Sequence, residues 1–125
     1  MTRTLVVTDA AWTRNDVHAA LTSPDYELID HEDPRTVANV VADGDFDAVV
    51  VDLQVSSKGG MAVTRAVREN TTVRGDDATP VVLLLDRAAD TFLAGRSGAA
   101  AWVIKPFTAQ ELRGAVDGAV APAAE

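Results

Sequence analysis

The sequence predicts a single α/β domain built on one parallel sheet with helices on both faces, and two observations predict it. Five short apolar runs rich in β-branched residues alternate with five stretches of helical spacing, the pattern of successive βα units. Three of those runs end in a charged residue: Asp9 after Leu5 to Thr8, Asp52 after Ala48 to Val51, and Lys105 after Ala101 to Ile104. Parallel strands open a crevice at their carboxyl ends, so this arrangement puts all three charges on one edge of the sheet.

Each element has its own local reason. The first strand is expected at Thr4 to Thr8, followed by a helix whose apolar face is Val17, Ala20 and Leu21 and which Ser23-Pro24 terminates. The second strand, Glu27 to His31, leads to a helix with Asp33 placed as its cap, Pro34 in its first turn, Val37, Val40 and Val41 as its stripe, and Gly44 as its stop. Ala48 to Asp52 is apolar enough to be a central strand buried on both faces. The helix after it carries Val63, Ala66 and Val67, and the polar stretch from Asn70 to Thr79 reads as a mobile loop. Val81 to Leu85 is the fourth strand, followed by a short helix around Ala89 to Ser97 with Phe92 and Leu93 as its apolar anchors. The fifth strand is Ala101 to Ile104. The last helix opens on Thr108-Ala-Gln-Glu111, a capping box, repeats Leu112, Ala115, Val116, Ala119 and Val120 on one face, and is stopped by Pro122. Right-handed crossovers then distribute the helices over both faces. Residues 1–120 are expected to form the domain and residues 121–125 a flexible tail.

A chain of 125 residues fits one domain that buries about two thirds of its unfolded surface. With 47% hydrophobic and 24% charged residues, and apolar runs too short to span a bilayer, it reads as a soluble protein. No signal-peptide core precedes the first strand and cysteine is absent, so the expected location is cytoplasmic. A net charge of -8 without a Lys/Arg cluster argues against direct nucleic-acid binding. Lysine is scarce, two against nine arginines, so a lysine at position 105 favours the compact ammonium over a guanidinium there.

Taken singly, an aspartate after a strand often caps a loop, and a lysine is usually a surface residue. Together, at the ends of the first, third and fifth strands, Asp9, Asp52 and Lys105 form a candidate phosphoryl and metal site. A carboxylate attacking phosphorus approaches a dianion, so cations are needed to neutralise the charge spread over the equatorial oxygens. Magnesium favours hard oxygen ligands, one or two carboxylates plus water and phosphate, which suits Asp9 and Asp52.

The segments Leu5-Val-Val-Thr-Asp9, Val49-Val-Val-Asp-Leu53, Gly59-Gly60, Pro80-Val-Val-Leu-Leu84, Gly98-Ala99 and Lys105-Pro106-Phe107 give the chain a close likeness to one family. It resembles the receiver domain of bacterial two-component response regulators over nearly its whole length. The resemblance implies a flavodoxin-like, doubly wound (βα)5 sheet with strand order 2-1-3-4-5. It implies that Asp52 accepts a phosphoryl group from a histidine kinase or phosphotransfer protein. It further implies a Mg2+ held by Asp9, Asp52 and the backbone carbonyl of Gln54, with Lys105 contacting the phosphoryl oxygens, and a cis Lys105-Pro106 bond aiming the ammonium over the strand ends. Such a domain is not an enzyme acting on a separate substrate; at most it phosphorylates and dephosphorylates itself. An effector domain, a target protein or a second copy of the chain are the further partners it leaves open.

The likeness fails at two places. Thr8 stands where the family carries a first acid, which lowers the formal charge of the empty site from -2 to -1 and weakens the attraction for metal. Leu85, followed by Asp86, stands where the family has a Thr or Ser whose hydroxyl bonds the phosphoryl group, and the aromatic of the switch is Trp102. A leucine cannot make that bond, and Asp86 in its place would repel the phosphoryl group. The alternative is therefore an atypical pseudo-receiver, a phosphorylation-independent protein-interaction module. A more distant alternative is a haloacid dehalogenase-like phosphatase, on the strength of Asp52-Leu-Gln-Val55, although Gln54 replaces the acid that would protonate the leaving group. A flavin-binding use of the fold lacks its phosphate loop, since Asp9-Ala-Ala-Trp12 is not one. Trp12 reads as a packing or surface residue at the rim, Trp102 as a partly exposed residue near a partner-binding face of the fourth and fifth helices, and His18 and His31 as structural or surface residues. Ser56, Ser57 and Lys58 read as a flexible loop over Asp52.

Overall fold

The computed structural model describes residues 2–33, 35–44, 46–53, 59–74 and 79–120. Five strands, β1 (Thr2–Val7), β2 (Tyr26–His31), β3 (Ala48–Asp52), β4 (Val81–Leu85) and β5 (Ala101–Ile104), pair in parallel in the order β2-β1-β3-β4-β5. The helices are α1 (Ala11–Ala20), α2 (Val37–Asp43), α3 (Gly60–Arg74), α4 (Thr91–Ser97) and α5 (Ala109–Val120), with a 3-10 turn at Ala88–Asp90 leading into α4. The doubly wound order expected from the family likeness is the one observed.

Strand alternation sorts the core into two layers. Leu5, Val7, Val49, Val51, Leu83 and Leu85 face one side, where Val37, Val41, Val63, Val67 and Ala94 of α2, α3 and α4 cover them. Val6, Val50, Val82 and Leu84 face the other, under Val17, Leu112 and Val116 of α1 and α5. All five residues of β3 and of β4 are buried, as sheet-interior strands require. Among the described residues no helix is long and apolar enough to cross a membrane.

Several local expectations are corrected. β1 begins two residues earlier than its apolar run and ends at Val7, leaving Thr8 just beyond the ladder. α2 starts at Val37 with Thr36 at its N-cap, and Asp33 does not cap it. Instead Asp33 accepts a bond from the Arg35 backbone N–H at 3.0 Å and one from Arg35 Nε at 3.1 Å, closing a turn before the helix. Half of the stretch read as a loop from Asn70 belongs to α3, which runs to Arg74. Asn, Thr and Val lower helix propensity by only a few tenths of a kcal/mol each, too little to stop a helix before Gly75. Residues 75–78, and with them Asp76 and Asp77, lie outside the described residues, as do Pro34, the Ser56, Ser57 and Lys58 loop, Pro122 and the tail.

In α4 the expected anchors are reversed: Phe92 is 69% and Leu93 52% exposed, and the buried residues are Ala94 and Ser97. The stripe facing the sheet is Asp90, Ala94 and Ser97, at i, i+4 and i+7, written in small and polar residues that let the helix lie close. Ser97 satisfies its hydroxyl by donating to the Ala94 carbonyl at 2.7 Å. The helix ends at Gly98, whose φ of 91° a residue with a Cβ rarely adopts. By contrast the capping box of α5 forms as read: Glu111 N–H donates to Thr108 Oγ1 and Thr108 N–H to Glu111 Oε1, each at 3.0 Å.

Candidate functional site

The registers explain why three distant charges meet. Val7 pairs with Val51, Asp52 with Leu84, and Leu85 with Ile104, so the residues that follow these positions emerge along one edge. The backbone continues the ladder there, with Leu53 N–H donating to Leu84 O at 3.0 Å and Lys105 N–H to Leu85 O at 2.8 Å. An open cleft of about 500 Å³ results, lined by Asp9, Trp12, Thr13, Asp52, Asp86 and Lys105. The structure thus brings Asp9, Asp52 and Lys105 to one cleft.

Asp52 is the centre of the arrangement and is buried. Its Oδ1 accepts from Lys105 Nζ at 2.6 Å, and its Oδ2 accepts from Thr8 Oγ1 at 2.9 Å. Thr8 in turn accepts from the Ala10 backbone N–H at 3.1 Å, so the start of α1 fixes the hydroxyl that orients the carboxylate. From the other side Gly60 presses on the same strand end: a Cβ at Gly60 would stand 2.7 Å from the Asp52 carbonyl oxygen, closer than atoms pack. The carboxylate is therefore held by β3 from behind, by Thr8 on one oxygen and by Lys105 on the other.

Lys105 serves two acids. Its Nζ also lies 3.2 Å from Asp86 Oδ1. Burial disfavours its ammonium, but the hydrogen bonds and charges of Asp52 and then Asp86 outweigh that, and its pKa stands above the usual lysine value. The Lys105-Pro106 peptide is cis, as the family likeness implied. Asp9 is exposed at the cleft mouth. Two carboxylates presenting hard oxygens at an open cleft fit a magnesium ion by donor chemistry; Gln54, the third expected ligand, lies outside the described residues.

Of the remaining residues singled out in the sequence, Leu85 is fully buried as the last residue of β4 and Trp102 lies on β5 with its ring against Gly95 of α4. Trp12, 73% exposed, lines the cleft rather than the core. His18 pairs with Asp30 at 2.8 Å and His31 with Thr36 at 2.7 Å, away from the cleft. Two contributions escaped the sequence reading: the bond from Thr8 to Asp52, and the pairing of Asp86 with Lys105. The second had a signal, since Asp86 follows the buried run of β4 as Asp52 ends that of β3, and the same strand-end rule puts both on one edge.

The model of the response regulator receiver domain matches residues 4–117. The aerobic respiration control protein ArcA of Escherichia coli K12 is 26% identical over 108 residues, which are 86% of this chain and 44% of that protein; the chain thus spans less than half of this relative. Among solved structures, the receiver domain of sensor histidine kinase PA1611 from Pseudomonas aeruginosa, with a magnesium ion in its active-site cleft, superposes with a TM-score of 0.78 at 19% identity, covering 95% of this chain and 97% of that one. A chain from the co-crystal structure of the Saccharomyces cerevisiae phosphotransfer protein Ypd1 with the receiver domain of its response regulator Ssk1 gives 0.81 at 17% identity, covering 93% and 86%. The strand order, the acids and lysine at the sheet edge, and the match over residues 4–117 lead to one conclusion: the chain belongs to the response regulator receiver domain family of two-component signalling.

Proposed function

We propose that Asp52 accepts a phosphoryl group from the phosphohistidine of a histidine kinase or phosphotransfer protein, and that the modified domain presents an altered face to a partner in the cytoplasm. The observation that carries this reading is the 2.6 Å contact of Lys105 Nζ with Asp52 Oδ1 inside a cleft open to solvent. In the transfer an Asp52 oxygen forms a bond to phosphorus while the P–N bond of the donor breaks, its electron pair staying on the departing imidazole nitrogen, which takes a proton from solvent. Lys105 follows the growing negative charge on the phosphoryl oxygens, and Thr8 keeps the second Asp52 oxygen in place. Asp9 and Asp52, with the Gln54 carbonyl, would hold Mg2+, which supplies further positive charge against the equatorial oxygens. The magnesium ion in the cleft of the PA1611 receiver and the phosphotransfer partner of Ssk1 support the metal and the donor class.

Leu85 favours a second reading. It is buried and has no hydroxyl to bond a phosphoryl group, so the domain would act as a phosphorylation-independent interaction module, with Trp102 at its partner face. Incubation with acetyl phosphate and Mg2+ separates the two. The intact mass of the protein is expected to rise by one phosphoryl group, and that of Asp52→Asn to stay unchanged; no gain in the intact protein leaves the interaction module.

A further inference from the structure

We propose that Asp86 is a built-in occupant of the phosphoryl position on Lys105, which a phosphoryl group arriving at Asp52 has to displace. This rests on the phosphoacceptor reading of Asp52 and adds to it a residue that sets how readily the site charges.

Lys105 Nζ contacts two carboxylates at once, Asp52 Oδ1 at 2.6 Å and Asp86 Oδ1 at 3.2 Å. The first is the acceptor itself; the second takes up one of the three N–H donors of the ammonium and part of the positive charge that the phosphoryl oxygens need. Asp86 is directed to the lysine by that contact, at the lip of the cleft that it lines with Asp9 and Asp52. Its side chain is one-third exposed, with room to swing into solvent. Before transfer, Asp86 shares the cation that must neutralise the incoming group; after transfer, two negative groups compete for one ammonium, and the phosphoryl dianion carries the larger charge. The phosphoryl oxygens take the contact and Asp86 leaves it. Asp86 is thus a positioning residue acting through Lys105, and it works by repulsion where a hydroxyl would work by attraction. Its movement is tied to α4, because Asp86 directly precedes Arg87, whose guanidinium pairs with the buried Asp90 at the head of that helix at 3.3 Å.

The test uses the intact chain, its Asp86→Asn and Asp86→Glu variants, acetyl phosphate, and Mg2+ raised until the rate no longer depends on it. Asp86→Asn is expected to gain the phosphoryl mass about three- to fivefold faster than the unaltered chain, the scale of one part-exposed ion pair, while Asp86→Glu stays within about twofold of it. Because the chain has two lysines, the Lys105 side-chain carbon resonance is separable by selective labelling. It is expected to differ between the unaltered chain and Asp86→Asn before phosphorylation and to coincide after it. Equal rates, an Asp86→Glu variant as fast as Asp86→Asn, or a resonance difference that persists in the phosphorylated proteins overturns this proposal alone. Absence of mass gain in every variant overturns it together with the phosphoacceptor reading.

Discussion

At the level of single residues, the charges that a sheet presents at its edge are easier to read from a sequence than the bonds between them. Asp9, Asp52 and Lys105 are legible because each directly follows or ends an apolar run, and strand geometry does the rest. The donation of Thr8 to Asp52 is not legible, because it depends on the register of β1 on β3, which pairs Val7 with Val51 and so brings the next residues, Thr8 and Asp52, level with each other. Tyr26 is a second such case. Its hydroxyl donates to Asp117 Oδ1 at 2.7 Å, across 91 positions, tying the start of β2 to α5. Burial and the Asp117 carboxylate both disfavour the phenolate and push the Tyr26 pKa up to about 12. A folded-state value above the free one of 10.0 means that the associated stability is present below pH 10.0 and is lost as the pH rises through about 12. Tyr26 is the single tyrosine of the chain, so tyrosinate absorbance reports it alone. The expected midpoint is near 12, falling towards 10.0 in Asp117→Asn; a midpoint at 10.0 in the unaltered chain contradicts the bond.

Elements were legible where pattern and packing agree. The strands β3, β4 and β5 and the capping box of α5 follow from local chemistry that tertiary contacts reinforce. α4 was not, because a two-turn helix gives too few positions for a period to show, and large apolar residues attract the assignment of the buried face. Here the sheet takes Ala94 and Ser97, and Phe92 and Leu93 point outwards, with Arg96 over the Phe92 ring at 5.8 Å. The two registers of the helix predict opposite mutational outcomes. With Ala94 inward, Phe92→Ser changes stability by less than about 0.5 kcal/mol, as exposed positions do. Ala94→Leu overfills a closed contact and costs about 1–3 kcal/mol. Urea unfolding of both variants decides between them, and a large loss in Phe92→Ser with a neutral Ala94→Leu would restore the register read from the sequence.

For the whole molecule, the decisive feature is that one sheet divides two cores. The layer under α1 and α5 and the layer under α2, α3 and α4 share the fully buried strands β3 and β4, whose alternate residues belong to opposite layers. Neither layer keeps its floor if the other is lost, so the two are expected to melt as one unit although their side chains lie on opposite faces. Leu112 is fully buried in the α5 layer, whose core among the described residues is drawn from the sheet, α1 and α5, whereas Trp102 lies against Gly95 of α4 and reports that side of the sheet. Leu112→Ala is expected to cost about 2–5 kcal/mol, a large share of the stability of a domain this size. If the layers are coupled, the urea midpoint read from Trp102 emission in a Trp12→Phe background falls with that of the far-ultraviolet circular dichroism, and the two transitions coincide. A Trp102 transition that stays in place while the helix signal is lost early would mean that the α4 side stands without the α5 side, and that the shared strands do not couple the two layers.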